Sequence, residues 1–368
     1  MPSRSSTPTE DPSRKPPCRS PSWLKCPGIP GGRNKSRIMR GYHHYALARP
    51  AARRHLAPSC RAAKRSPTLI LAMVCWMLCL ANSFLFAEEI MPEPHALDRP
   101  EILRALFHPQ QTGRSEPPAG ALNLDLPMDD GVIIGCRLFT AAKDAPLILF
   151  FHGNGETVPD YDDIGPHYTA RQINFLVADY RGYGWSGGKP SASSMIRDGR
   201  IIYRAVRQWL QDNGYSGKLL VMGRSLGSAC AIDLTAANNA EISGLLIESG
   251  FAETIPLART LGIDLAALGL AEKDCFNNIG KIEKVTKPTY ILHGQRDTLI
   301  PLRQAEMLHA ACGARSKELQ IVPGADHNSL LAVAGMLYFQ EIKRFVDKIT
   351  GANDWRSSRK QFKNKQKN

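Results

Sequence analysis

The chain has 368 residues, 43% of them hydrophobic, enough for one large or two ordinary domains with a sizeable buried core. Its formal charge of +13 sits wholly in residues 1–66, which hold 15 Lys and Arg against Glu10 and Asp11, and the last fourteen residues add six cations and no acid. The stretch between these ends is mildly acidic, which argues against nucleic acid as the main partner, because a nucleic-acid-binding domain carries its basic excess on a folded surface.

Residues 1–66 are rich in Pro, Ser, Arg and Gly and show no sustained apolar period, the composition of a disordered basic segment that cannot offset its ordering entropy. Residues 67–90 form a hydrophobic segment. Within it Leu69 to Ala87 carries no charge and follows Lys64 and Arg65; as a helix it would reach roughly 28 Å, near the thickness of a bilayer core. Four readings stand for this run. A signal anchor would associate the protein with a membrane through residues 69–87 and leave the basic segment on the cytoplasmic side. A signal peptide fits less well, with Leu85 and Ala87 an imperfect cleavage signal, and the Arg-rich, acid-poor start also suits an organelle transit peptide. A true start at Met39, Met73 or Met91 would remove some or all of this region; starting at Met91 leaves a cytoplasmic protein. The basic tail at 351–368 reads, like the first segment, as solvated chain with weak attraction to membranes or polyanions.

Residues 91–350 read as one α/β domain with a largely parallel sheet. Leu122 to Leu126 and Val132 to Phe139 predict a hairpin around Asp129, Asp130 and Gly131. Leu147 to Phe151 is a continuous apolar run, as expected of a strand buried on both faces. Ile173 to Ala178, Leu219 to Met222, Gly244 to Ile247, Thr289 to Leu292 and Leu319 to Val322 repeat the signal, making about eight strands. Helical spacing predicts Met195 to Gln211, ended by Asn213 and Gly214, and then Leu226 to Asn238, Pro301 to Cys312 and Ser329 to Ile349. Between residues 251 and 285 the rhythm breaks into a short helical insertion after the sixth strand. Nine cysteines show no CxxC pair and no His/Cys ligand spacing, against structural zinc; Cys136, Cys230, Cys275 and Cys312 read as mostly buried free thiols.

The chemistry centres on Gly223-Arg224-Ser225-Leu226-Gly227, which stands between an apolar strand and an Ala-rich helix. That context suits a nucleophile elbow, a sharp turn that exposes a serine hydroxyl. A serine near its free pKa needs a base, and the base needs an orienting carboxylate. Asp297 follows the strand ending Leu292-His293-Gly294, and His327 follows the strand ending at Val322. Both loops leave the same edge of a parallel sheet, where ligands bind in open α/β folds. Asp297 could instead cap the helix from Pro301. Glu248 also ends a strand nearby and competes with Asp297 for the role of orienting His327. The turn His152-Gly153-Asn154-Gly155 can expose backbone donors, so the NH groups of Asn154 and Leu226 are assigned to an oxyanion hole. His152 reads as a structural residue of that turn. Tyr180, Tyr183 and Trp185 read as packing and turn residues, and with Glu248 they are candidates for one wall of the substrate pocket or for support behind it.

These segments, with Asp179 to Gly188, Glu248-Ser249-Gly250-Phe251 and Gly324 to Asn328, resemble the α/β-hydrolase superfamily, in particular the serine aminopeptidase-like hydrolases, a group that includes membrane-tethered lipid and protein-acyl hydrolases. The resemblance spans about Leu122 to Ile349. It implies an eight-stranded, mostly parallel sheet and a triad of Ser225, Asp297 and His327. Gly250 stands where the family motif usually has proline, and the short insertion does not suit an elaborate lid.

The function expected is hydrolysis of an ester, thioester or amide through an acyl-enzyme, with no metal or organic cofactor, on a small-molecule or acyl substrate. An acyltransferase would use the same triad with an alcohol or thiol in place of water. A tethered interaction protein that lost activity is the non-enzymatic alternative.

Overall fold

The computed structural model describes residues 95–352; residues 1–94, including the basic segment and the apolar run Leu69 to Ala87, and the tail beyond 352 lie outside the described residues. The described residues build one eight-stranded sheet in the order β1-β2-β4-β3-β5-β6-β7-β8. Its strands are β1 (Ala121–Pro127), β2 (Ile133–Phe139), β3 (Leu147–Phe151), β4 (Asn174–Ala178), β5 (Leu219–Arg224), β6 (Leu245–Glu248), β7 (Thr289–Gly294) and β8 (Lys317–Val322). β2 runs antiparallel to both β1 and β4, and the pairs from β4 through β3 to β8 are parallel.

Period-two alternation divides the apolar side chains between two layers. Leu147, Leu149 and Phe151 of β3 point into one core with Val221 of β5, where helices Ala192–Asp212 and Gly227–Ala237 supply Ile202, Val206, Ala229 and Ile232. Ile148 and Phe150 point into the other with Leu220 and Met222, covered by Tyr338, Ile342, Phe345 and Val346 of the helix Met336–Thr350. Every residue of β3 and β4 is buried, which is why β3 is a continuous apolar run and β4 is apolar throughout after Asn174, whose amide is bonded to the backbone of Ala141, Ala142 and Ala145. Each such large side chain contributes roughly 1.5–3 kcal/mol of burial free energy. The C-terminal ends of the six parallel strands from β3 to β8 therefore rest on a core filled from both sides.

The insertion between β6 and β7 contains helix Thr254–Thr260, a 3-10 turn at Glu272–Asp274 and helix Asn278–Ile282. It is folded back on itself by Glu272, whose carboxylate accepts the NH groups of Thr254 and Ile255 at 2.8 and 2.7 Å. Two helices differ from the expected spans for identifiable reasons. The helix expected from Met195 starts at Ala192, because Ser191 and Ser194 exchange side-chain-to-backbone hydrogen bonds at 2.9 and 3.0 Å in a reciprocal cap. The single helix expected over Ser329 to Ile349 is two, Leu330–Ala334 and Met336–Thr350, broken at Gly335 with φ 54° and ψ −133°. Among the described residues no helix is long and apolar enough to cross a membrane, and Cys136, Cys230, Cys275 and Cys312 are buried free thiols.

Candidate active site

The turn after β5 places Ser225 at φ 50°, in the left-handed region where a non-glycine residue costs about 1–3 kcal/mol. Close packing holds it there. A Cβ on Gly223 would lie 2.3 Å from the Gly227 carbonyl oxygen, and one on Gly227 would lie 2.1 Å from that of Phe151. The Ser225 NH donates to the carbonyl of Glu248 at 2.9 Å, and the Ser228 hydroxyl to the carbonyl of Ser225 at 2.6 Å. Gly223 thus makes room for the first turn of the helix starting at Gly227, and Gly227 lets that helix approach the end of β3 at backbone distance. Gly227→Ala is expected to destabilise the domain by about 2–3 kcal/mol, read as a fall in Tm of roughly 5–10 °C in thermal unfolding.

Loops from β7 and β8 meet this turn. His327 Nε2 lies 2.9 Å from Ser225 Oγ, and His327 Nδ1 lies 2.8 Å from Asp297 Oδ2. With the proton on Nδ1 the imidazole donates to Asp297 and accepts from the serine hydroxyl. The Asp297 side chain is fully buried, and its second oxygen accepts the NH groups of Leu299 and Ile300 at 3.0 and 2.8 Å, which fixes the carboxylate toward the histidine. His293 sits behind it, with Nε2 2.8 Å from the Ile300 carbonyl and 3.5 Å from Asp297 Oδ2. Burial holds the His293 pKa below the usual range, so this ring stays neutral beside the carboxylate.

Glu248 takes a different place. One of its oxygens lies 3.3 Å from Arg224 Nε and the other accepts the Tyr338 hydroxyl at 2.6 Å, and among the described residues it makes no hydrogen bond to His327. Burial raises its pKa although Arg224 works the other way. Asn154 is anchored by its side chain: Oδ1 accepts from the Tyr183 hydroxyl at 2.6 Å and the His108 NH at 2.8 Å, and Nδ2 donates to the Leu106 carbonyl at 2.9 Å. The backbone NH groups of Asn154 and Leu226 have no acceptor among the described residues. Each is therefore free to donate to a bound oxyanion.

Tyr180 and Tyr183 are buried under the turn after β3. Tyr180 donates to the His152 carbonyl at 2.7 Å, and its ring lies 4.6 Å from the imidazole. His152 has Nδ1 2.8 Å from the Gly153 carbonyl and Nε2 3.2 Å from Asp179; burial opposes its charge, and Asp179 together with the Gly153 carbonyl and Glu156 outweighs burial to raise its pKa. Trp185 lies over Gly135 of the leading hairpin and donates to Asp125 at 2.9 Å. A cavity of about 190 Å³ opens beside His327. Its wall includes Arg224, Glu248, Tyr161, Leu330 and Tyr338 but not Tyr180, Tyr183 or Trp185. Arg224, Glu156 and Tyr338 were not among the residues expected from sequence. Glu156 and Tyr338 are near the site only through tertiary contacts, and the one available signal was the place of Arg224 next to Ser225.

Residues 142–273 match the family described as serine aminopeptidase, S33. The chain is 30% identical over 211 residues to "Protein bem46" of Schizosaccharomyces pombe, covering 55% of this chain and 68% of that protein. It is 26% identical over 314 residues to "Alpha/beta hydrolase domain-containing protein 17C" of Xenopus laevis, covering 75% and 94%. An esterase of Pyrococcus furiosus shares its fold at a TM-score of 0.54 and 19% identity, over 66% of this chain and 99% of the other. With the strand order and the elbow already described, these similarities show that the chain belongs to the α/β-hydrolase superfamily, within the serine aminopeptidase S33 family.

Proposed function

We propose that the protein is a serine hydrolase that cleaves a carboxylic ester or thioester through an acyl-enzyme. The observation that carries this reading is the position of His327, with one ring nitrogen 2.9 Å from Ser225 Oγ and the other 2.8 Å from Asp297. As Ser225 Oγ bonds to the substrate carbonyl carbon, its proton passes to His327 Nε2, and Asp297 stabilises the imidazolium that forms. The carbonyl oxygen gains the negative charge and faces the NH groups of Asn154 and Leu226. Losing one such donor typically costs about 3 kcal/mol of transition-state stabilisation. His327 then gives the proton to the departing alkoxide or thiolate as its bond to carbon breaks. In the second half, water loses a proton to His327, bonds to the acyl carbon, and releases the acid as the proton returns to Ser225.

Ester chemistry is favoured over aminopeptidase chemistry by the state of the three carboxylates that line the cavity beside His327. Glu156 is engaged by Arg224, the Gly153 NH and the Tyr161 hydroxyl, Glu248 by Arg224 and Tyr338, and Asp160 by the NH and hydroxyl of Thr157. Each is already held by groups of the protein, which leaves no carboxylate there dedicated to the amine of a peptide N-terminus. A panel of p-nitrophenyl esters, acyl-CoA thioesters and aminoacyl p-nitroanilides should show turnover of the first two and little of the third. Preferred turnover of the anilides would reverse the assignment, and product diverted to an added alcohol or thiol would mark an acyltransferase.

Leu69 to Ala87 is the proposed membrane tether. The full chain should sediment with membranes and resist alkaline carbonate extraction, while a chain starting at Met91 should stay in the supernatant. A full chain that remains in the supernatant would show that Leu69 to Ala87 is not a tether.

A further inference from the structure

Arg224 precedes the proposed nucleophile, and its side chain turns into the cavity beside His327 with only 12% of its surface exposed. All three of its nitrogens are engaged. Nη1 pairs with Glu156, Nε lies 3.3 Å from Glu248, and Nη2 donates to the backbone carbonyl of His327 at 3.0 Å and to Asn328 Oδ1 at 3.1 Å. Glu156 extends the connection, because its other oxygen accepts the Gly153 NH at 2.7 Å, one residue before Asn154. The approach is close: a Cβ on Gly153 would lie 2.5 Å from Arg224 Nη1. One guanidinium therefore joins the nucleophile turn, the donor loop after β3, the end of β6 and the loop that carries His327.

We infer that Arg224 is a positioning residue, a clip that holds the His327 loop and the Asn154 loop in register with Ser225. The inference rests on Ser225 being the nucleophile. The physical basis is the planar fork of arginine, which donates in several fixed directions at once; the single nitrogen of lysine cannot span Glu156, Glu248 and the His327 carbonyl together. Burial opposes the charge on Arg224, and Glu156 and Glu248 more than restore it, so the clip stays ionised. Burial likewise opposes the charge on Glu156, yet Arg224 and its other partners hold its pKa below the usual carboxylate range.

The test compares wild type with Arg224→Lys and Glu156→Gln. Gln keeps the shape of Glu156 and removes the ion pair without leaving a buried carboxylate unpaired. Misplacement of reacting groups by about 1 Å costs on the order of 100-fold, so Arg224→Lys should lower kcat by roughly 10- to 100-fold with KM changed less than about threefold, and Glu156→Gln should act in the same direction. The maximal rate of covalent labelling by a fluorophosphonate should fall in parallel while the Tm of each variant shows it to be folded. A merely structural role would lower Tm and leave the labelling rate of the folded protein alone. If both folded variants label within about twofold of wild type, the clip is wrong. If Arg224→Lys does not fold, Glu156→Gln decides alone. Wild type that is not labelled at Ser225 would instead overturn the parent reading.

Discussion

Ser225→Ala is expected to lower kcat by roughly 10⁵-fold or more while leaving the fold in place. The size of the effect follows from the single role of the hydroxyl: among the described residues its hydrogen-bond partner is His327, so its removal deletes the attacking atom and little else. The backbone strain at φ 50° is the same for alanine as for serine, and the packing of Gly223 and Gly227 that enforces it is untouched. Thermal unfolding should therefore stay near that of wild type. A variant that loses activity only because it unfolds would show a lowered Tm and would say nothing about the chemistry. What activity remains should reflect binding and the two backbone donors alone.

Asp297→Asn comes next, with an expected loss of about 10⁴-fold in kcat. Asp297 accepts two backbone NH groups on one oxygen, so an asparagine here keeps that oxygen toward Leu299 and Ile300 and turns its amide toward His327. The imidazole must then accept at Nδ1 and carry its proton on Nε2, where it cannot take the serine proton. Glu248→Gln is the comparison. Glu248 bonds to Arg224 and Tyr338 and not to His327, so its loss acts through packing and through the arginine, with an expected fall in kcat of under about tenfold. Steady-state kinetics on both variants separates the carboxylates. Equal losses, or a larger one at Glu248, would move the orienting role to Glu248.

The site was legible in the sequence to the extent that it depends on strand ends. Ser225, Asp297 and His327 each follow an apolar run, and parallel strands deliver the residues after them to one edge whatever the details of packing. Strand β3 was legible because burial on both faces leaves an unbroken apolar signature, and β4 because only Asn174 interrupts it. Other features depended on contacts the sequence does not display. The pairings of Arg224 with Glu156 and of Tyr338 with Glu248 join positions 68 and 90 residues apart, and either side chain could equally have faced solvent. The break at Gly335 was hidden because the apolar spacing continues on both sides of it, and one glycine within a helical pattern does not by itself specify a stop. The earlier helix start at Ala192 came from Ser191 and Ser194, common polar residues whose reciprocal cap is visible only once the turn has formed.

Whatever the preferred ester and wherever Leu69 to Ala87 resides, activity requires that Ser225 be an activated nucleophile. Treating the purified chain with a fluorophosphonate and locating the adduct by peptide mass spectrometry reads this out. One adduct per chain is expected, on Ser225, absent from Ser225→Ala and strongly slowed in Asp297→Asn. No adduct at any value from about pH 6 to 9, or an adduct on another residue that persists in Ser225→Ala, would contradict it.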